Sequence, residues 1–138
     1  MELQLKIIGG LLIGLALLHI PFPRRFQWKS ELSSLSLLNR EMMYVHTLFI
    51  ALTILLMGAL CLFCAGDLIN TTLGNRVCLG LAIFWGTRLA VQFFGYSSEL
   101  WRGKKFETVV HVIFSIFWIY FTAVFFLVWF TAPSSAQL

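Results

Sequence analysis

The residue with the clearest chemical potential is Arg88, because it interrupts an otherwise apolar run of the chain. Residues 77–96 hold no other charge, and Arg88 lies near the middle of this run. A charge at such a depth in hydrocarbon costs about 2.5–3.5 kcal/mol on insertion scales, so it needs polar partners. Since the Cα–Cβ bond leans toward the helix N-terminus, we expect the side chain to stay deep. It would then serve as a structural arginine or as an anchor for a ligand.

Polar and aromatic side chains recur around Arg88 at helical spacing, which places them on one face of a helix. We expect this face to bind a ligand with the help of Glu107, which begins the last apolar run. The predicted ligand-binding residues are Trp85, Arg88, Gln92, Tyr96 and Glu107.

Small residues mark the opposite face of the same run. Ala82, Gly86 and Ala90 follow one another at intervals of four, a pattern that lets helices approach closely. This row is a candidate contact with a second copy or with a larger membrane complex. The pair Gly10 and Gly14 in the first apolar run is a further candidate helix contact.

The three histidines fall at the ends of three apolar runs. His19 ends the first run, whereas His46 and His111 lie just inside the second and fourth. If these ends share one level, the three imidazoles could bind a divalent metal, or His46 and His111 could ligate haem iron. The alternative is that each is a histidine at a membrane interface with its polar tip in water.

Four apolar runs predict an all-α integral membrane four-helix bundle in a single domain, 1–138. The chain is 59% hydrophobic and only 12% charged, against about 25% charged in soluble domains. Runs near 20 residues can cross about 30 Å of hydrocarbon, and helices satisfy their own backbone hydrogen bonds there. The predicted spans are 3–20, 43–65, 77–96 and 109–131, and none contains Asp or Glu.

The basic residues predict an orientation. With four spans, loops 21–42 and 97–108 hold seven Lys and Arg, while the other side holds only Lys6 and Arg76. Short basic loops stay in the cytoplasm, so we expect both termini to be extracytoplasmic in a bacterial inner membrane. The net charge of +4 then indicates contact with membrane lipid and not with nucleic acid.

The first loop and the cysteines carry weaker signals. Ser30 is a candidate cap for a short interfacial helix between the first two spans, with Leu32, Leu35 and Leu38 on its apolar face. Cys61 and Cys64 form a C-x-x-C pair, but they lie where a helix dipole disfavours thiolates, so we expect structural thiols.

Three functions are compatible with these residues. The first is binding of a small amphiphile or cofactor (haem, a metal, a quinone or a lipid) in a polar pocket that opens to the cytoplasm. The second is a small transporter or channel subunit that uses Arg88, and the third is an accessory subunit of a membrane complex. The predicted pocket combines His19, His46, Arg88, Gln92, Tyr96, Glu107 and His111. Phosphate-binding loops and known catalytic motifs are absent from the sequence, so it leaves open whether the protein is an enzyme.

Overall fold

The computed structural model describes residues 1–131, and this part of the chain is helical. Seven α-helices and one 3-10 turn (Ser98–Leu100) follow one another without a strand in the described residues. They divide into two compact units, an N-terminal unit (Leu3–Ala65) and a C-terminal unit from Gly66 onward, which is grouped with Met1–Glu2. The helices are α1 (Glu2–Leu18), α2 (Phe22–Arg25), α3 (Trp28–Glu31), α4 (Leu37–Phe63), α5 (Ala65–Asn70), α6 (Thr72–Phe94) and α7 (Lys105–Thr131).

In the N-terminal unit, α1 and α4 approach each other closely at two glycines. A Cβ added at Gly9 would lie 2.8 Å from the carbonyl oxygen of Gly58, and one at Gly58 would lie 2.9 Å from that of Gly9. Only residues without a side chain allow two backbones this near. The predicted pair, Gly10 and Gly14, takes no part in this approach, because no atom of the described residues lies within 4 Å of a Cβ added at either position.

The segment between α1 and α4 differs from the predicted interfacial helix. Ser30 lies inside α3 and donates its hydroxyl to the carbonyl of Gln27, so it does not cap a longer helix. Ser36 is the cap instead, and its side chain accepts a hydrogen bond from the Asn39 amide at 3.4 Å. Helix α4 consequently begins six residues before the predicted span, because a capping serine and not the onset of hydrophobicity sets its first turn.

In the C-terminal unit, a capped turn joins α5 to α6. The Thr71 hydroxyl accepts from the Gly74 amide at 2.9 Å and donates to the Asp67 carbonyl at 2.7 Å. Gly74 is required at this turn because a Cβ there would collide with the Asp67 carbonyl oxygen and the Leu68 Cα. The cap starts α6 at Thr72, five residues earlier than predicted.

Helices α6 and α7 run antiparallel and pack along their length. Asn75 near the start of α6 meets the end of α7, while Gln92 near the end of α6 meets His111 near the start of α7. Phe121 of α7 meets Trp85 of α6 edge-on at this interface, and both side chains are buried. This antiparallel pairing brings side chains near the end of α6 beside those near the start of α7.

Within residues 1–131, three helices are long and apolar enough to cross a membrane, namely α4, α6 and α7. Helix α1 is also apolar, but it has 17 residues, or about 26 Å at 1.5 Å per residue. That is slightly less than the roughly 30 Å of a hydrocarbon core. The described chain is therefore an all-helical protein with at least three helices suited to a membrane.

Candidate functional site

Arg88 is held by one amide and two aromatic rings. Its Nη1 donates to the Oε1 of Gln92 at 3.1 Å. Its Cζ lies 5.1 Å from the ring centroid of Trp118 and 5.6 Å from that of Tyr96, within the range of cation–π attraction. These contacts bring together three predicted residues, Arg88, Gln92 and Tyr96, and add Trp118 from α7.

The guanidinium reaches toward the C-terminal end of α6. Gln92 and Tyr96 lie one and two turns beyond Arg88 in that direction. The guanidinium therefore turns away from the helix N-terminus, whereas its depth in a membrane stays a prediction. The backbone does direct the Cβ toward the helix N-terminus, but the three flexible bonds beyond it let the charged tip turn back.

Gln92 connects Arg88 to His111 and fixes the direction of both hydrogen bonds. It is only 6% exposed, and its Nε2 lies 2.8 Å from the Nδ1 of His111. Because arginine has only donors, the amide oxygen must face Arg88 and the amide nitrogen must face His111. His111 Nδ1 therefore accepts, and the ring proton of the neutral imidazole is on Nε2.

Trp101 covers one face of the His111 ring. The two rings stack at 4.0 Å between centroids and 15° between planes, and Phe93 meets the same imidazole edge-on at 5.9 Å. The Trp101 carbonyl accepts a hydrogen bond from the Thr108 hydroxyl at 2.7 Å, which ties this loop to the first turn of α7. Sequence reasoning missed Trp101, because a tryptophan in a loop shows no helical spacing to the residues that it contacts.

A stack of aromatic rings packs between α6 and α7 on the deeper side of Arg88. Trp85 and Trp118 stack at 4.9 Å and 16°, and Phe121 meets Trp85 edge-on at 5.1 Å. Trp85 and Trp118 are 1% and 4% exposed. Their indole Nε1 atoms have no hydrogen-bond partner among the described residues. Trp85 thus contacts the site through Trp118, as part of its packing.

The remaining predicted ligand residue, Glu107, lies on the first turn of α7 and is exposed. None of the contacts that define the Arg88 cluster involves its side chain. Its acidic charge near the start of α7 complements the helix dipole, which is sufficient to explain its position.

His19 and His46 belong to the N-terminal unit and bond their own helices. Their Nδ1 atoms lie 2.8 Å from the Leu15 carbonyl and 2.7 Å from the Met42 carbonyl, respectively. A carbonyl only accepts, so both rings have their proton on Nδ1, the opposite tautomer to His111. Within residues 1–131, no group of three or more His, Cys, Asp or Glu is placed to hold a metal ion. The metal site of His19, His46 and His111 therefore gains no support.

The row of small residues is used partly within the C-terminal unit. A Cβ at Gly86 would lie 3.5 Å from the Cγ2 of Thr122 in α7, and Ala82 is 5% exposed. Ala90 is exposed and remains available for a partner. None of the cysteines, all of which are described, forms a disulfide.

Asn75 is a second residue that sequence reasoning missed. It is fully buried, and its Nδ2 lies 3.3 Å and 3.2 Å from the carbonyl oxygens of Val128 and Trp129. These carbonyls belong to the last turn of α7, which lacks helical partners of its own. The only signal in the sequence was a polar amide two residues before the predicted span 77–96.

Comparison of the chain with family models, with curated proteins and with solved structures finds no match.

Proposed function

We propose that the protein is a four-span membrane protein that binds an amphiphile whose head group carries acceptor oxygens. The observation that carries the proposal is the hydrogen-bond chain from Arg88 through Gln92 to His111. Both ends of this chain present N–H donors, from the guanidinium and from the imidazole Nε2. A carbonyl, carboxylate or phosphate group is the complementary ligand chemistry.

The environment of these donors suits a ligand with an apolar body. Trp118, Tyr96 and Trp101 surround the polar chain with flat aromatic faces. In an apolar environment, a donor without an acceptor is costly, so binding an acceptor there is strongly favourable. A quinone and an anionic lipid or fatty acid both combine such oxygens with an apolar body.

Haem or a metal fits His111 less well. In the tautomer that Gln92 imposes, Nδ1 accepts a hydrogen bond and Nε2 carries a proton, so neither nitrogen offers a lone pair to a metal. Ligation would require Gln92 to move and to abandon Arg88. We therefore place the amphiphile before haem and divalent metals.

The orientation is part of the proposal. If α1 also crosses the bilayer, the basic loops lie together on the cytoplasmic side, as the distribution of Lys and Arg favours. The Arg88 cluster lies toward the C-terminal end of α6 and would then open to the cytoplasm. Exposed Arg102, Lys104 and Lys105 in the adjoining loop would attract an anionic head group.

Transport through the C-terminal unit is less well supported. The stacked rings of Trp85, Trp118 and Phe121 fill the α6–α7 interface on the deeper side of Arg88. A polar path between these two helices would have to displace them. A role as an accessory subunit of a larger complex remains compatible with the exposed Ala90.

The test is ligand binding followed by tryptophan fluorescence of the purified protein in detergent. The probes are a short-chain benzoquinone and a brominated fatty acid, since both quench indole fluorescence on contact and differ in charge. We expect saturable quenching by at least one probe, and Arg88→Leu and Gln92→Leu to weaken it by roughly tenfold or more, as for a lost charge-assisted hydrogen bond. Thr87→Val is the matched control, because Thr87 bonds only the Ile83 carbonyl of its own helix.

Two results would refute the proposal. One is a wild-type protein that neither probe quenches in a saturable manner. The other is unchanged binding in both Arg88→Leu and Gln92→Leu, provided that circular dichroism finds the same helix content in each variant.

A further inference from the structure

The N-terminal unit contains a groove that is lined by none of the residues of the Arg88 cluster. It has a volume of about 290 Å³ and is lined by the residues that follow α1, by α2 and α3, and by the third to fifth turns of α4. The residues that define its walls are His19, Pro23, Trp28, Tyr44, Thr47 and Ala51. Its size is at the lower end of the range for small-molecule sites, so it fits part of an elongated ligand.

The backbone is bent sharply to build one wall of this groove. Gln27 has φ 49° and ψ 42°, a left-handed conformation that side-chain-bearing residues rarely adopt. It breaks the chain between α2 and α3 and starts α3 at Trp28. The Trp28 ring then meets Tyr44 of α4 edge-on at 5.3 Å between centroids. A strained residue persists only where surrounding contacts hold it, and such residues concentrate at binding sites.

The lining of the groove is mainly apolar, with a few polar groups. Pro23, Leu48 and Ala51 supply aliphatic surface, while Tyr44 and Thr47 contribute hydroxyl groups. Tryptophan and tyrosine of this kind are typical of the level where a membrane meets water. The groove therefore has the composition expected for a ligand with an acyl chain and a polar head.

Positive charges flank the same segment. Arg24, Arg25 and Lys29 are all exposed and directly follow Pro23 and Trp28 in the chain. Residues 19–31 contain only one acidic residue, Glu31, against these three basic residues. This excess of positive charge favours an anionic over a zwitterionic head group.

We propose that this groove is a binding site for an anionic phospholipid. An acyl chain lies along the groove between Trp28, Thr47 and Ala51, and the phosphate of the head group contacts Arg24, Arg25 and Lys29. The site shares no residue with the Arg88 cluster and does not depend on the function proposed for it. Its ligand is structural membrane lipid, which the protein holds at a defined position.

The experiment measures lipid retention by native mass spectrometry of the full-length protein, released from micelles that contain dioleoyl phosphatidylglycerol or dioleoyl phosphatidylcholine. We expect the wild type to retain phosphatidylglycerol preferentially. The combined variant R24Q, R25Q and K29Q should weaken retention roughly tenfold or more, because each basic residue near anionic lipid adds a several-fold factor. Ala51→Trp should do the same by filling the groove without changing the charge.

The ring substitution has a matched control, since Ala123→Trp adds the same ring at an exposed position of α7 and should retain phosphatidylglycerol like the wild type. Each groove variant is also measured in an Arg88→Leu background, which separates lipid held in the groove from lipid held at the Arg88 cluster, and the loss of phosphatidylglycerol should persist there. The proposal is overturned if the wild type retains phosphatidylcholine equally, or if the groove variants behave like the protein without them in either background.

Discussion

Gln92 determines the chemistry of the Arg88 cluster because it links the guanidinium of Arg88 to the imidazole of His111. Its oxygen takes the hydrogen bond from Arg88, so its nitrogen must face His111. Because Arg88 can only donate, the Gln92 amide has one orientation, and this orientation determines the tautomer of His111. His19 and His46, which face backbone carbonyls, have the opposite tautomer.

This difference predicts the nitrogen spectra of the three histidines. At alkaline pH, where neutral rings are observed, ¹⁵N-resolved spectra should assign the proton of His111 to Nε2 and those of His19 and His46 to Nδ1. Gln92→Glu replaces the donor that faces His111 with an acceptor, so the His111 proton should move to Nδ1. His19 and His46 serve as internal controls and should not change. An Nδ1 proton on His111 in the wild type would contradict the structure of the cluster.

Asn75 should contribute to stability through its two bonds to the last turn of α7. Asn75→Leu leaves the Val128 and Trp129 carbonyls without that donor in a buried place, which we expect to cost about 1–3 kcal/mol of unfolding free energy. The measurement is unfolding in mixed micelles with increasing SDS, followed by circular dichroism. Asn70→Leu is the control, since Asn70 is exposed and bonds only the Gly66 carbonyl. Equal stability of the two variants would argue against the role of Asn75.

Part of this site could be predicted from the sequence and part could not, and the difference has a physical reason. Arg88, Gln92 and Tyr96 lie on one helix, where spacing alone determines a shared face. Trp101 comes from a loop, and the contact of Asn75 joins residues more than fifty positions apart. Such contacts depend on how two helices pair, and the spacing of residues along a single helix does not determine that pairing.

At the scale of the elements, the approach of α1 to α4 depends on two glycines that the sequence pattern did not identify. Gly10 and Gly14 have the familiar spacing, but Gly9 and Gly58 make the contact. The reason is that the other helix decides which residues of α1 are covered. The buried residues of α1, which include Leu5, Ile8 and Leu12, lie on the same side as Gly9.

We expect Gly9→Leu and Gly58→Leu to destabilise the N-terminal unit by about 1–3 kcal/mol each, as for other overpacked sites. An added side chain would meet the backbone of the opposite helix at less than 3 Å. Unfolding in SDS again provides the measurement. Gly10→Leu and Gly14→Leu are the matched controls, because nothing lies within 4 Å of their added Cβ atoms. If all four variants unfolded alike, the close crossing of α1 and α4 would be wrong.

The bounds of the helices illustrate what hydrophobicity alone can predict. The four apolar runs all became helices, but α4 and α6 begin before their apolar runs, at the caps Ser36 and Thr71. Hydrophobicity marks the part of a helix that lipid or protein covers, whereas side-chain hydrogen bonds to backbone amides determine where the helix begins. The first turns of α4 and α7, which contain charged residues, were therefore not predicted.

At the scale of the whole molecule, α1 determines whether the chain crosses the membrane three or four times. Three crossings place the termini on opposite sides, and four place them on the same side. The four apolar runs predict four crossings, and with four crossings the basic loops place both termini outside the cytoplasm. Reporter fusions at each terminus, one active only in the cytoplasm and one active only outside it, measure this directly. Opposite locations of the two termini would eliminate α1 as a span and would reverse part of the proposed orientation.

The paired indoles of Trp85 and Trp118 have a consequence for spectroscopy. Their centroids are 4.9 Å apart and their planes differ by 16°, so their electronic transitions are close enough to couple as one chromophore. Coupling of this kind changes the ellipticity bands of the two tryptophans, and either Trp85→Phe or Trp118→Phe should remove the change. The ellipticity of this pair therefore reports the pairing of α6 with α7 in any detergent or lipid, without an added label.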